Sequence, residues 1–421
     1  AGLAAGQAQG LNIISPNRDT PTEGLINYIT SDYNTGWMHG DIKLATLSDT
    51  DTTNAVGTNL VTNGDFASGT SGWTIYGTSG SVANVSNRLQ FTASAAFHGV
   101  QYNSSGLVVG KRYLYEAEVE TNGASPSLRI QIGGIGLITA TGVTTASNTV
   151  TKIYDYFTAT STGHVIQIID YSGDVGNVFY ADNVSVRLAE ADRSYNNKGL
   201  QTFGTVTKTA VATGADLVSY SGFTSSNYLK QPYNADLQFG TGDFSSTWWF
   251  KSGGDNGTYQ WLFERQAGEL EAFVFSGTGI LRVYVGGNAI ETGQSVFTGA
   301  WHQLCFVRRS GVGFLYLDGQ LKSSTAMTGD MSTTNSAPLT VGARNDGTYP
   351  ATGHSLALLR ISATAPTAEQ IAKMYRDEKH LFQTNAKATL YGTSNAVTAL
   401  AYDDDTELLH VGTSAGRSEF Q

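Results

Sequence analysis

The chain of 421 residues has almost no cysteine. It contains one cysteine, Cys305, so no disulfide can form within the chain. Secreted β-sandwich proteins often carry disulfides, and the lack of them favours synthesis in a reducing cytoplasm. Cys305 alternates in phase with apolar neighbours, which predicts a small buried side chain.

Charge is also scarce. Only 14% of the residues are charged, against roughly 25% in soluble domains on average. Lys and Arg number 25 and Asp and Glu number 35, which gives a net charge of 25 − 35 = −10. An acidic chain of this kind argues against nucleic acid as a partner, because phosphate must be neutralised by basic patches.

Long hydrophobic runs are absent, since no apolar stretch approaches the ~18 residues needed to cross a bilayer. We therefore expect no membrane insertion. The first ten residues have neither a basic segment nor an apolar segment and do not predict a signal peptide. The chain is instead rich in glycine (49), tyrosine (21) and phenylalanine (18), which is typical of all-β proteins of virion, cell-surface or secreted type.

The clearest structural pattern is the segment Trp301 to Ser324. Apolar and polar residues alternate along it, and turn signals at Gly311 and Asp318-Gly319 predict three short antiparallel strands. The segment resembles the central hairpin of LamG-like, concanavalin A-type jelly rolls, and similar opening and closing strands surround it. The resemblance implies a jelly roll over residues 215–365.

A second block, residues 59–190, contains about seven short strands, as expected for one β-sandwich. Its opening motif, NLVTNGDF followed by Gly72-Trp73, and its closing motif, YADNVSV, resemble carbohydrate-binding modules of the CenC type. The resemblance implies a sandwich that binds glycan.

The remaining segments predict smaller elements. Thr367 followed by Gln370 is a capping-box spacing, and it predicts one short helix that docks on a sandwich. The tail resembles one hairpin of a propeller blade. We therefore expect an all-β protein with two tandem β-sandwich (jelly-roll) domains and the following ranges: an irregular arm with one strand (1–58), the first sandwich (59–190), a linker (191–214), the second sandwich (215–365), the helix (366–383) and the propeller-like hairpin (384–421).

Exposed aromatic rings stack on the C–H faces of sugars, so aromatic residues near loops are candidate glycan-binding residues. The alternative for each ring is a place in the core, which is the expected location of Trp73 and Trp301. The candidates for glycan binding are Tyr76, His98 and Tyr102 in the first sandwich and Tyr259, Trp261 and Tyr349 in the second.

Modules that resemble the first sandwich often hold a structural calcium ion between their first turn and last strand. This resemblance implies Asp65 and Asp182 as metal ligands, although Ala67 stands where the family often has a carboxylate. The alternative is that Asp65 caps a turn and Asp182 ends a strand. No other cofactor is expected.

The sequence does not predict an enzyme. Glu264, Glu269 and Glu271 do not follow the glucanase pattern E-x-D-x-x-E and are interpreted as surface charge. The seven histidines show no metal-binding or triad spacing.

The order of the modules resembles tail-fibre or virion structural proteins of marine tailed phages. That resemblance implies a virion protein, made in the host cytoplasm, that binds a host cell-surface glycan, contacts other virion proteins and forms a homo-oligomer such as a trimer. Two alternatives stay open: the carbohydrate-binding accessory region of a secreted polysaccharide-degrading enzyme, and a purely architectural virion decoration protein.

Overall fold

The computed structural model describes residues 11–14, 25–28, 37–39, 41–122, 127–137, 143–144, 148–172, 174–194, 196–266, 268–332, 337–384, 386, 397–406 and 408–420. The chain divides into two compact units. One unit comprises Val56–Ala189 and Gln201–Phe203 and contains the first sandwich. The other comprises Ala1–Ala55, Glu190–Leu200 and Gly204–Gln421 and contains the second sandwich. Within the described ranges, no helix has the length and apolarity required to span a bilayer.

The amino-terminal segment contains more strands than the single one predicted there. Three short strands, β1 (Leu11–Ile14), β2 (Leu25–Tyr28) and β3 (Trp37–His39), form an antiparallel sheet. The predicted strand is β4 (Ile42–Thr46), and β5 (Ala55–Gly57) follows it. The prediction of one strand was wrong because runs of three or four residues are too short to show a periodic pattern.

The first sandwich consists of two antiparallel sheets, ordered β14-β10-β16-β8-β7 and β12-β11-β15-β9-β6, with β13 also paired to β11. Its strands are β6 (Trp73–Tyr76), β7 (Ser81–Val85), β8 (Arg88–Thr92), β9 (Gly99–Asn103), β10 (Arg112–Thr121), β11 (Ser127–Ile132), β12 (Gly136–Leu137), β13 (Val143–Thr144), β14 (Thr151–Thr158), β15 (Val165–Asp170) and β16 (Val178–Glu190). Alternate residues of both sheets point inward and form one apolar core.

The opening and closing motifs of this sandwich are hydrogen-bonded to each other. The side-chain oxygen of Asn59 accepts the N–H groups of Val61 (3.1 Å) and Val186 (3.0 Å). The N–H of Val184 donates to the carbonyl of Gly64 at 2.9 Å. One asparagine therefore joins the first turn to the last strand.

The second sandwich consists of a six-stranded sheet, β19-β28-β21-β22-β23-β24, and a sheet with the order β29-β20-β25-β26-β27. Both β4 and β18 pair with the far edge of β29. The strands are β17 (Leu200–Ala210), β18 (Val218–Ser221), β19 (Tyr228–Gln231), β20 (Phe244–Lys251), β21 (Gln260–Gln266), β22 (Leu270–Val274), β23 (Ile280–Val285), β24 (Asn288–Ser295), β25 (Trp301–Arg309), β26 (Val312–Leu317), β27 (Gln320–Ala326), β28 (Leu339–Val341) and β29 (Ser355–Ser362). Strand β17 lies in the range 191–214, for which the sequence predicted a linker.

The hairpins predicted between Trp301 and Ser324 are present as β25, β26 and β27. The β25–β26 turn is formed by Ser310 (φ 50°) and Gly311 (φ 74°), and the β26–β27 turn by Asp318 (φ 53°) and Gly319 (φ 73°). Positive φ at both central positions matches the twist of antiparallel strands, so the Asp-Gly signal was read correctly.

The predicted helix, α1 (Ala368–Glu378), begins with the expected capping box between Thr367 and Gln370. Its apolar residues Ile371 and Met374 pack in a buried cluster with Cys305, which is fully buried. The buried carboxylate of Glu378 accepts hydrogen bonds from Trp249 Nε1 (2.7 Å) and Arg360 Nη2 (2.7 Å). The helix thus docks on the β20–β25–β29 sheet by both apolar and polar contacts.

The tail forms an antiparallel sheet of three strands, β30 (Val397–Asp403), β31 (Leu408–Thr413) and β32 (Gly416–Phe420). The sequence predicted only a hairpin there. Together, the described elements are strands with one α-helix, which confirms the all-β class.

Candidate functional site

Three of the predicted glycan-binding residues come together on the six-stranded sheet of the second sandwich. The ring of Trp261 lies 6.3 Å from Tyr259 and 5.3 Å from Tyr349, measured between centroids. Trp261 also stacks on Phe273 at 4.3 Å, because the two residues are directly opposite in the β21–β22 register. Phe275 lies 5.2 Å from Tyr259. We call these five residues the aromatic face.

The loop that carries Tyr349 is fixed to β21 by its backbone. The N–H of Trp261 donates to the carbonyl of Tyr349 at 2.9 Å, and Trp261 forms an isolated bridge with Pro350. Tyr349 adopts φ 49°, a left-handed conformation that is uncommon for a residue with a large side chain. The fold therefore holds this tyrosine in one position over the sheet.

The members of the aromatic face differ in exposure, and the exposed fraction distinguishes rings that can contact a ligand from rings that only support them. Tyr259 is 44% exposed and Tyr349 is 42% exposed, whereas Trp261 is only 7% exposed. The indole Nε1 of Trp261 donates to Glu271 at 2.9 Å. The two tyrosines can therefore stack on a sugar ring, while Trp261 supports them from below.

Two arginines lie against the aromatic face. The guanidinium of Arg282 is 4.4 Å from the ring centroid of Phe275, and that of Arg344 is 5.4 Å from Trp261. Both distances are within the range of cation–π attraction. These cations stay partly exposed and provide hydrogen-bond donors beside the tyrosines.

The interpretation of Glu264, Glu269 and Glu271 as surface charge was wrong. The three residues are buried, with exposures of 1%, 3% and 6%. Each carboxylate has partners: Glu264 accepts from the N–H of Asn345, Glu269 pairs with Arg265, and Glu271 accepts from Trp261. Burial raises the pKa of Glu264, and the adjacent Glu271 adds to this effect. Strand alternation could not show that loop residues 343–350 would cover this face.

In the first sandwich, Tyr76 and His98 lie at one end of the β12-β11-β15-β9-β6 sheet. Tyr76 pairs with Gly99 in the β6–β9 register and is half-buried. His98 is also half-buried, and its Nδ1 lies 2.7 Å from the carbonyl of Ala96. Both side chains are accessible to a ligand.

Tyr102, the third residue predicted there, belongs to the core. It is 9% exposed, and its ring lies 5.3 Å from Trp73. Its hydroxyl accepts the N–H of Thr62 at 3.1 Å. The prediction that Tyr102 is exposed beside a loop was wrong, because its strand position places it on the inner face opposite the opening motif.

A row of glutamines on the same sheet was missed. Gln101, Gln167 and Gln131 are adjacent across β9, β15 and β11, and Gln167 Nε2 donates to Gln101 Oε1 at 3.2 Å. Tyr171 donates to Gln131 at 3.3 Å, and the Arg129 guanidinium lies 4.6 Å from the Tyr171 ring centroid. We call these five residues the amide face.

The amide face has unused hydrogen-bonding capacity. Gln167 is 6% exposed, yet its Oε1 has no hydrogen-bond partner among the described residues. A buried amide oxygen without a partner costs free energy unless a ligand or water supplies a donor. The sequence did contain a signal, because each glutamine stands between two apolar residues in the middle of a strand.

Asp65 and Asp182 lie close enough for their charges to interact, and calcium binding by them stays a prediction. Asp65 accepts the N–H of Ala67 at 3.3 Å, and Asp182 accepts the N–H of Asn183 at 2.7 Å. Burial raises the pKa of Asp182, and Glu118 and Asp65 contribute further. In the part of the chain that the structure describes, no group of three His, Cys, Asp or Glu residues could hold a metal ion.

Several solved structures are similar to this chain at low identity. The binding domain of Paraclostridial Mosquitocidal Protein 1 is 12% identical with a TM-score of 0.38, and the match covers 53% of this chain and 61% of that one. Domain 4 of AbnA, a GH43 extracellular arabinanase from Geobacillus stearothermophilus in complex with arabinotriose, is 18% identical with a TM-score of 0.36 and coverages of 44% and 92%. The CBM22-1-CBM22-2 tandem domain of Paenibacillus barcinonensis Xyn10C is 14% identical with a TM-score of 0.29 and coverages of 75% and 100%.

At these TM-scores the structural likeness carries no conclusion about ligand or activity. The chain spans less than two thirds of the Paraclostridial binding domain, and no curated protein sequence matches it. A family model does match the second sandwich. Residues 223–372 match the concanavalin A-like lectin/glucanases superfamily, and this part of the chain therefore has the concanavalin A-like jelly-roll fold that its sequence resembled.

Proposed function

We propose that this protein binds glycans through its two β-sandwiches and has no catalytic activity of its own. The observation that carries the proposal is the aromatic face, where Tyr259 and Tyr349 are held exposed above a buried Trp261. The superfamily that matches the second sandwich includes lectins, which supports the same function.

The chemistry of recognition follows from the aromatic face. The exposed tyrosine rings offer flat apolar surfaces to the C–H faces of a sugar, and the surrounding donors and acceptors contact its hydroxyls. Arg282 and Arg344 lie beside the rings, where they can donate hydrogen bonds to sugar hydroxyls. Asp346 is an exposed acceptor in the loop before Tyr349. The backbone of the Tyr349 loop is fixed to β21, which limits the conformational entropy lost on binding.

The amide face provides a second surface of different character. Its glutamines and Arg129 favour hydrogen bonds to hydroxyl groups, while Tyr171 and the 55% exposed Phe97, whose rings are 5.6 Å apart, offer apolar contact. Two weak sites on one chain raise the overall affinity for a polymer that reaches both.

The non-catalytic part of the proposal rests on the carboxylates of the second sandwich. A glycosidase needs two carboxyl groups free to act on a sugar in a cleft. Glu264, Glu269 and Glu271 are instead buried and engaged by Asn345, Arg265 and Trp261. They stabilise the base of the aromatic face.

We further propose that the protein is a component of a phage virion, such as a tail fibre, and displays these surfaces to a host-cell glycan. The order of the modules in the sequence supports this role. Assembly into a homo-oligomer such as a trimer, in contact with other virion proteins, would convert weak single sites into avidity. An accessory region of a secreted polysaccharide-degrading enzyme and an architectural decoration protein are the alternatives.

Glycan-array binding of the full chain tests the proposed recognition. We expect the double variant Tyr259→Ala/Tyr349→Ala to weaken binding about thirtyfold, because each of the two stacking contacts contributes about 1 kcal/mol. The control is Tyr402→Ala, since Tyr402 is 39% exposed in the tail and should not affect binding. Absence of binding to any glycan by folded wild-type protein would favour the architectural alternative, and polysaccharide hydrolysis would contradict the non-catalytic assignment.

Location on a virion is a separate question with its own test. Antibodies raised against the chain should label intact phage particles in electron micrographs at the tail. Labelling of a secreted bacterial enzyme fraction without any particle would support the accessory-region alternative.

A further inference from the structure

A largely buried cluster of reactive groups lies in the unit of the second sandwich. Lys208 is 4% exposed, and its Nζ lies 2.5 Å from Asp49 Oδ2. Glu190, which is 8% exposed, has its Oε2 3.7 Å from the same Nζ. Tyr220, which is 2% exposed, donates its hydroxyl to Glu190 Oε2 at 2.8 Å. A lysine, an aspartate and a second carboxylate are thus enclosed together.

The carboxylate of Asp49 is oriented with one oxygen toward the lysine and the other toward the backbone. Asp49 Oδ1 accepts the N–H groups of Thr50 (2.7 Å) and Asp51 (3.2 Å). The carbonyl of Asp49 accepts the N–H of Val218 at 2.9 Å, which fixes the residue on β18. Two donors are therefore aimed at the oxygen that would carry negative charge if Nζ attacked the carboxyl carbon.

The position of Glu190 gives it a separate chemical role. It is close enough to Lys208 to take a proton from the ammonium group with a small movement, and Tyr220 holds its carboxylate in place. A lysine becomes a nucleophile only after it loses its proton. A neighbouring carboxylate in a dry site can act as the base for this step and return the proton later.

We propose that Lys208 and Asp49 form an intramolecular isopeptide bond, with Glu190 as the group that transfers protons between them. Glu190 passes a proton from the Lys208 ammonium to Asp49 Oδ2, and the neutral amine attacks Cγ of the neutral carboxyl group. The tetrahedral intermediate carries its negative charge on Oδ1, held by the N–H groups of Thr50 and Asp51. A second proton moves from the nitrogen to Oδ2 through Glu190, the Cγ–Oδ2 bond breaks, and water leaves.

The reaction balances without a co-reactant. One ammonium and one carboxylate become one amide and one water molecule, so no oxidant, reductant or activated donor is needed. Product formation removes two opposite charges from a largely buried site, in which the side chain of Lys208 is 3% exposed and that of Asp49 is 20% exposed, and each buried charge carries a desolvation cost.

The charges before reaction agree with this sequence of steps. Burial lowers the pKa of Lys208, but Glu190 and Asp49 raise it by more, so the lysine starts protonated. Burial raises the pKa of Asp49, but the hydrogen bond and charge of Lys208 and the two backbone hydrogen bonds lower it by more. The net pKa is below its usual value, so the aspartate starts ionised. Proton transfer to Glu190 is therefore the step that the fold must enable.

The bond would join positions 159 residues apart in the sequence. It would attach the segment after β4 to β17 in a chain that has no disulfide. A covalent link across so long a loop restricts the unfolded chain, which is the stabilising effect that disulfides have in proteins that contain them. This inference does not depend on glycan binding.

Intact mass spectrometry of the full chain tests the proposal. We expect folded wild-type protein to be lighter than its sequence mass by one water molecule, and a tryptic digest to contain a branched peptide that joins Asp49 to Lys208. Lys208→Arg, which keeps the positive charge, should restore the full mass. Glu190→Gln, which keeps both bonding partners, should prevent the bond or slow its formation.

The matched control is the Lys198–Asp236 pair, with its nitrogen and oxygen 2.6 Å apart and side chains 41% and 32% exposed. Lys198→Arg should leave the mass one water lighter than its own sequence. Folded wild-type protein at its full sequence mass would overturn the proposal. Water loss without the branched peptide, for example as a succinimide at Asp318-Gly319, would also overturn it. Both results come from the wild type, so they hold even if a variant fails to fold.

Discussion

The two sandwiches use sheets of similar construction but present different chemistry on them. The first has glutamines in a cross-strand row with an unpartnered amide oxygen at Gln167. The second has stacked aromatic rings over buried, fully engaged glutamates. Among the described residues, an α-helix docks on the other sheet of the second sandwich and none docks on the first. The comparison indicates that the first sandwich leaves a buried polar atom unpaired, which costs stability, while the second holds its polar groups in internal networks.

The largest expected effect concerns the buried network under α1. Glu378→Ala removes the carboxylate that partners Arg360, Trp249 and Gln303, so a cation stays buried without a counter-charge. We expect the free energy of unfolding of the second unit to fall by about 3–5 kcal/mol. Urea denaturation followed by tryptophan fluorescence measures this.

The control for that network is Lys373→Ala, which removes an exposed pair with Asp377 on the same helix. We expect a loss of about 0.5 kcal/mol or less. Similar losses in the two variants would show that the network does not stabilise the second sandwich, and the contrast with the first would disappear.

The second largest expected effect is a loss of stability at acidic pH that is greater in the second sandwich than in the first. His354 is fully buried beside Phe250, and burial lowers its pKa from 6.5 to about 4. Because the folded pKa is depressed, the unfolded chain binds the proton more tightly, and stability present above pH 6.5 is lost as the pH falls towards 4. The full effect is about 3 kcal/mol, and it should be confined to the second sandwich.

The measurement is urea denaturation at pH 7.5 and pH 4.5 in wild type and His354→Gln. Glutamine can accept the N–H that Gly253 donates to the histidine but does not titrate. The variant should lose less stability between the two pH values. If wild type and His354→Gln lost the same stability between pH 7.5 and pH 4.5, His354 would not be the source of the acid sensitivity.

The smallest expected effect concerns the amide face. The double variant Gln101→Met/Gln167→Met removes both members of the 3.2 Å amide pair together with the unpartnered oxygen. We expect stability within about 1 kcal/mol of wild type, on the stabilising side, because both polar partners are replaced at once.

Glycan binding through the first sandwich should be lost in the same variant, as measured by isothermal titration calorimetry. A large destabilisation would mean that the glutamines have a structural role, and the contrast between the sandwiches would be weaker. Unchanged binding would exclude the amide face as a ligand surface.

Much of the fold could be predicted because its signals are local. The hairpins from Trp301, the capping box at Thr367 and the buried Cys305 each depend on residues close in sequence. Tyr259, Trp261 and Tyr349 were predicted as glycan-binding residues, but the sequence did not predict that they would meet on one sheet. Tyr102 was misplaced because its exposure depends on Thr62, forty residues earlier in the chain.

The sequence by itself determined the all-β class, the concanavalin A-like jelly roll of the second sandwich and the absence of disulfides, because composition, alternation and turn residues act over a few positions. Only the tertiary structure decided which groups meet. It brought Gln101, Gln167 and Gln131 into one row, buried Glu264 and Glu271 under a loop, and placed Lys208 against Asp49 and Glu190. These contacts depend on strand register and loop packing between distant segments, which local patterns do not encode.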